Sequence, residues 1–158
     1  MSTSYLENSS LRRARTIAEY QFGYGTGAGL FPDECTFIFS RTGRIRQILL
    51  DKKRLATVRA EDGRLTLGIE GGERLRKVLP PQAYRVVIDP EVTEFIRQGK
   101  NAFAKHVVAA DPSIRADDEV LVVSGDDVLL ATGSAVLSGD EMLAFNYGVA
   151  VKVRQGSA

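Results

Sequence analysis

The sequence has no tryptophan, one cysteine and one histidine among its 158 residues. With Cys35 alone, no intramolecular disulfide can form, and a reducing cytoplasm is the expected compartment. With His106 as the sole imidazole, no cluster has the spacing of a structural zinc site, and no metal or cofactor is expected. No apolar run approaches the roughly 20 residues that span a bilayer. The first ten residues, Met1 to Ser10, are polar and lack the apolar core of an export signal, so the chain is expected to stay off the membrane and unexported. Charge of either sign is not in marked excess: 21 Lys/Arg meet 20 Asp/Glu, a net of +1, which alone argues neither for nor against nucleic acid. The distribution is uneven, with residues 1–80 carrying 14 cations against 9 anions and residues 81–158 carrying 7 against 11.

What is present is enough apolar material for a core, 44% of the chain, at a length suited to one or two small domains. Ser10 reads as the cap of a helix whose apolar face holds Leu11, Ala14, Ile17, Ala18 and Phe22 at spacings of three and four. Arg12, Arg13 and Arg15 fall on other faces, either as solvated charge or as phosphate contacts. The run Gly23-Tyr24-Gly25-Thr26-Gly27-Ala28-Gly29 neither follows a strand nor keeps the register of a dinucleotide-binding loop, and no Lys-Ser or Lys-Thr completes a phosphate loop. Flexible or closely packed backbone explains it better. From Thr36 the period becomes two, giving two hairpins of one antiparallel sheet: 36–40 with 45–50 across Arg41–Arg44, and 55–59 with 65–69 across Asp62-Gly63. A short helix over Gly71–Leu79 stops at Pro80-Pro81, the best domain boundary in the chain.

Beyond it, Tyr84–Ile88 reads as a strand, and Pro90-Glu91 starts a helix with Val92, Phe95 and Ile96 on one face that ends at Gly99. A polar loop follows, then Val107-Val108 and strand candidates at 119–123, 128–132 and 135–137. A helical turn or two at 138–145 and a last strand from Val149 to Arg154, with Lys152 and Arg154 sharing a face, complete the reading. The predicted class is α+β: a small α+β unit over 1–80, whose residues 1–9 are expected to be flexible, then a closed or nearly closed β-barrel over 84–156.

Four pieces of the second half, Arg85–Asp89, Gly99–Val108, Asp117–Val123 and Gly148–Arg154, together resemble the PUA domain, a small RNA-binding module shared by pseudouridine synthases and archaeosine transglycosylases. The first half, through Leu11–Arg15, Tyr20–Gly23 and Leu30–Asp33, is similar to the segment preceding the PUA domain in archaeal tRNA-guanine transglycosylases. The resemblance implies a PUA-type pseudobarrel that contacts RNA through its Gly99–His106 loop and last strand. Gly99 would allow close approach, Ala104 would belong to the same loop, Lys100, Lys105, Lys152 and Arg154 would hold phosphates, and Asn101 and His106 would bond sugar or base edges. Phe103 either stacks on a base or plugs the barrel mouth, the plug being favoured. Many PUA domains have glycine where this chain has His106.

No catalytic residue is nominated. His106 has no partner nucleophile or carboxylate assigned by sequence, and Cys35 stands beside Glu34 rather than in a cationic neighbourhood, so a buried structural thiol is the better reading. A (β/α)₈ barrel needs typically ~250 residues, more than this chain offers. The expectation is a non-catalytic protein that recognises the acceptor-stem end of tRNA, as a detached targeting module beside a separate catalytic subunit. The alternative is a protein–protein adaptor without intrinsic RNA affinity.

Overall fold

The computed structural model describes residues 3–158, with side chains from Ser9 onward. The chain divides into two compact units, Met1–Leu79 and Pro80–Ala158.

The first unit is two helices, a four-stranded meander and a third helix. Helix α1 runs Thr3–Phe22, so Ser10 lies inside it and does not cap it. The backbone is helical from Thr3, and Met1 and Ser2 of the expected flexible segment lie outside the described residues. Leu11, Ala14, Ala18 and Phe22 are buried, as their spacing requires, while Ile17 is half-buried. The glycine run enters a five-residue helix, α2, Thr26–Leu30, that packs against α1. Gly27 is needed there because a Cβ would stand 2.7 Å from the Arg15 carbonyl oxygen; Gly29 is also closely packed, against Val78, whereas Gly23 and Gly25 supply positive φ in open space.

Strands β1 (Thr36–Phe39), β2 (Ile45–Leu50), β3 (Lys53–Val58) and β4 (Leu65–Leu67) follow as an antiparallel sheet in sequence order. The β2–β3 turn is tight, with Asp51 and Lys52 both at positive φ, the geometry whose twist matches a hairpin. Register places Phe37, Ile48, Ala56 and Leu67 in one row, of which the last three are buried. Helix α3, Ile69–Val78, packs on β3. Cys35 is buried just before β1, and burial pushes its thiol up to about 11, against the opposing pull of the Arg74 and Arg15 guanidinium groups. It is a structural thiol.

The second unit is a nearly closed barrel of mixed pairing. Six strands, β5 (Arg85–Ile88), β6 (Ala102–Phe103), β7 (Val107–Ala110), β8 (Glu119–Val123), β9 (Leu129–Ala135) and β10 (Val149–Gly156), lie in the order β6-β10-β9-β8-β5-β7. Only β5 and β8 run parallel. The separate strands expected at 128–132 and 135–137 are largely one strand, β9, whose pairing with both β8 and β10 carries it through Gly133-Ser134. Every residue of β8 is buried, including Glu119. The core gathers Val86, Ile88, Val120, Val122, Leu130 and Val151 with Ile96 and Met142.

Two helices close this unit. Asp89 accepts from the Glu91 amide to open a 3-10 turn that continues into α4, Thr93–Arg97. Ile96 enters the core, but Phe95, expected on the same face, is 60% exposed, because the short helix turns its one apolar row inward through Val92 and Ile96. Helix α5, Gly139–Ala144, starts with a reciprocal capping box between Ser138 and Glu141 and buries Met142. Arg85 is buried at the start of β5, with a two-pronged ion pair to Asp127 at 2.9 and 3.1 Å and bonds to the Pro80 and Ala83 carbonyls that fix the entering chain.

Candidate nucleic-acid interface

The predicted RNA-contacting loop begins where α4 ends. Gly99 has φ +97°, a region costly to side chains, with open space where a Cβ would stand. Its amide donates to the Ile96 carbonyl, and the Lys100 amide donates to the Phe95 carbonyl, so the helix end is fully bonded and Lys100 emerges into solvent. Asn101 then turns its amide oxygen back to accept from the Val153 amide at 3.0 Å, which ties the loop to β10. That bond gives Asn101 a structural task in addition to the contact expected from sequence.

The next residues alternate in and out. Ala102 is buried opposite Val151, and Val149 stands opposite Phe103. The alternation sends Phe103 and Lys152 to the outer surface. Phe103 is 44% exposed, so it does not plug the barrel mouth, while Ala102 and Ala104 on either side of it are buried in the core. Ala104 opens a 3-10 turn through His106, and its amide donates to the Gly148 carbonyl at 2.9 Å. Its buried methyl cannot meet a ligand. Lys105 is exposed, and His106 is half-buried with its carbonyl accepting from the Asp89 amide.

Lys100, Lys105 and Lys152 have no ion-pair partner among the described residues, whereas three of the four arginines of this unit do. Arg154 departs from the expected phosphate role: its guanidinium pairs with Glu119, whose side chain is 4% exposed, while Arg154 itself is 31% exposed. A buried carboxylate must be matched, and the cation two residues along β10 from Lys152 matches it. Arg154 is thereby engaged as part of the fold. Asp127, Glu94 and Glu119 are likewise engaged, each by one arginine, which leaves the net charge of this half unchanged.

A feature with no counterpart in the sequence reading adjoins the loop. Past α5, the Phe145 and Tyr147 rings stack with centroids 5.9 Å apart and planes 13° from parallel, at 37% and 72% exposure. The signal lies in Phe145-Asn146-Tyr147-Gly148, two aromatics just ahead of a turn glycine; reading 138–145 as helix alone hides it. Among the described residues no three His, Cys, Asp or Glu side chains group closely enough to hold a metal ion, and no helix is long and apolar enough to cross a membrane.

Comparison with known proteins covers both units. Residues 12–82 match the patch-forming domain C2 of tRNA-guanine transglycosylase, and residues 84–156 match the PUA domain. The tRNA-guanine(15) transglycosylase of Pyrococcus abyssi is 55% identical over 148 residues, which is 94% of this chain and 25% of that protein. The chain thus spans about a quarter of the length of the curated relatives it matches, corresponding to their C-terminal region. Among solved structures, a hypothetical protein from Pyrococcus horikoshii aligns with TM-score 0.73 at 23% identity, over 94% of this chain and 90% of that one. A conserved PUA domain protein from Thermoplasma acidophilum aligns with TM-score 0.64 at 20% identity, over 95% and 89%. Both share the fold.

Proposed function

From the premise that this chain joins a patch-forming C2 domain to a PUA-type β-barrel, we propose that it is a non-catalytic RNA-binding protein that presents tRNA to a modifying activity. The observation that carries the reading is the set of exposed lysines, Lys100, Lys105 and Lys152, left without anionic partners on a unit that pairs three of its four arginines. Unpaired cations on a rigid frame neutralise phosphates and release counterions, and that release supplies much of the affinity of a protein for nucleic acid. Gly99 leaves open space beside Lys100, so a sugar-phosphate strand meets no side chain there.

The acceptor-stem end of tRNA is the target we favour, because a small barrel surface reads structured RNA by shape, 2′-hydroxyl and phosphate rather than through a deep groove. Chemistry on the base is then supplied by a separate catalytic subunit, and the reaction class of the matched relatives, exchange of a guanine in tRNA, is the one this chain would serve. Residues Asn101 and His106 lie within the same loop and supply polar edges beside the lysines.

The test is fluorescence anisotropy with mature tRNA, tRNA lacking its single-stranded 3′ end, and an unrelated hairpin, each across a salt series. Tight, end-dependent binding with a steep salt slope is expected, and Lys105→Ala with Lys152→Ala lowers the slope by about 0.7–0.9 for each phosphate that is no longer neutralised. Absence of binding at low salt overturns the proposal in favour of an adaptor that docks on protein.

A further inference from the structure

We infer that the Phe145–Tyr147 stack is a platform for unpaired RNA bases, placed beside the lysine that holds the adjoining phosphate; the inference rests on the RNA-binding reading above. Tyr147 is 72% exposed, and no partner for its hydroxyl exists among the described residues. Its ring lies nearly parallel to that of Phe145 with centroids 5.9 Å apart, an offset arrangement that leaves most of the Tyr147 ring exposed. A base adds to such a stack as a third layer, and its own π-face needs no particular sequence to do so.

The platform is also held in place. The Phe145 amide donates to the Glu141 carbonyl at the end of α5, and Gly148, at φ +85°, turns the chain into β10. The Gly148 carbonyl accepts from the Ala104 amide, so the segment that carries Tyr147 is bonded directly to the 3-10 turn that carries Lys105. Little ordering remains to be done on binding. Register places Phe103 opposite Val149, two residues from Tyr147, so a third exposed ring stands on the same seam. Rings beside an unpartnered lysine match a single strand, which alternates base and phosphate. The anions of α5, Asp140 and Glu141, are at its opposite end, and Glu141 is already engaged in the capping box. Stacked rings with a flanking cation favour a polyanion with π-faces over an acidic or apolar peptide.

The test uses the full chain and two RNA hairpins that share the acceptor stem of a tRNA, one blunt and one with a short 3′ single-stranded tail containing 2-aminopurine. Anisotropy reads total binding and 2-aminopurine fluorescence reads stacking. The intact protein should quench the tail. Tyr147→Ala should lose the quench and bind the tailed RNA about tenfold more weakly while binding the blunt RNA within about twofold of the parent, and the salt slope should not change, because stacking releases no counterions. Tyr147→Phe should keep the quench, and Tyr147→Leu, apolar but without a π-face, should not. Tyr147 is exposed, and an unchanged thermal midpoint confirms that the variants are folded. Binding of the tailed RNA without quenching, or equal losses on both hairpins, overturns the platform and leaves RNA binding standing. Failure of the parent protein to bind either hairpin overturns both readings.

Discussion

Replacing Arg154 separates a fold role from a phosphate role on a single strand. Arg154 and Lys152 lie two residues apart on β10, yet only Arg154 is bonded to a buried carboxylate, that of Glu119 on β8, across β9. Removing one partner of a fully buried pair costs about 3–5 kcal/mol. Here the guanidinium is 31% exposed, which lets water share the charge, so Arg154→Ala should cost about 2 kcal/mol. Glu119→Gln removes the buried charge itself, and the double variant Glu119→Gln with Arg154→Met should recover at least half of the single-variant loss, because neither buried anion nor cation then remains. Urea unfolding followed by a double-mutant cycle measures the coupling; with two units in the chain, a probe confined to the second is required. In parallel, the salt dependence of tRNA binding should keep its slope in Arg154→Met and become shallower in Lys105→Ala. A stable Arg154→Ala protein with a shallower slope would refute the argument and return Arg154 to the phosphate-binding set.

Three further outcomes rest on geometry already described. The Cys35 thiol ionises near 9.0 in the unfolded chain and near 11 in the folded one, so between those values the folded state retains a proton that the unfolded state has released. Stability should therefore be unaffected below pH 9 and fall by about 2–3 kcal/mol as pH rises to 11, a decline that Cys35→Ala removes in chemical denaturation across pH. Ser138→Ala breaks the capping box of α5 and should destabilise the second unit by about 1 kcal/mol, seen as a lower urea midpoint with unchanged m-value. Gly27→Ala forces a methyl against the Arg15 carbonyl and should cost about 1–3 kcal/mol in the first unit, read from amide exchange of α1 and α2; a neutral effect would show that the helices separate freely.

The strand content and both hairpins of the first unit are legible in the sequence because their apolar alternation and turn residues are local. Pro80-Pro81 is a local signal of the same kind, and the two compact units are Met1–Leu79 and Pro80–Ala158. Less legible is whatever depends on partners far along the chain. Nothing near Arg154 in sequence announces Glu119, and nothing near Phe103 shows that Ala102 and Ala104 already fill the interior, leaving the ring outside. Ser10 resembles a cap and so displaces the expected start of α1, whereas it lies inside the helix and is buried. Phe95 reads as inward only on a helical period that needs more than the five residues α4 supplies.

The order of strands in the barrel carries a kinetic consequence. In the first unit every strand pairs with the one made just before it, so each pairing closes a short loop. In the second, Ala102 must wait for Val151 and Arg85 for Leu121, and β10 lies between β6 and β9 rather than at an edge. Loop closure must be met before these pairings return any stabilisation, which slows such topologies. The two halves of one small chain therefore run on different clocks: the meander gathers first, while the Gly99–His106 loop, whose Asn101 is tied to Val153, acquires its shape only when the barrel closes.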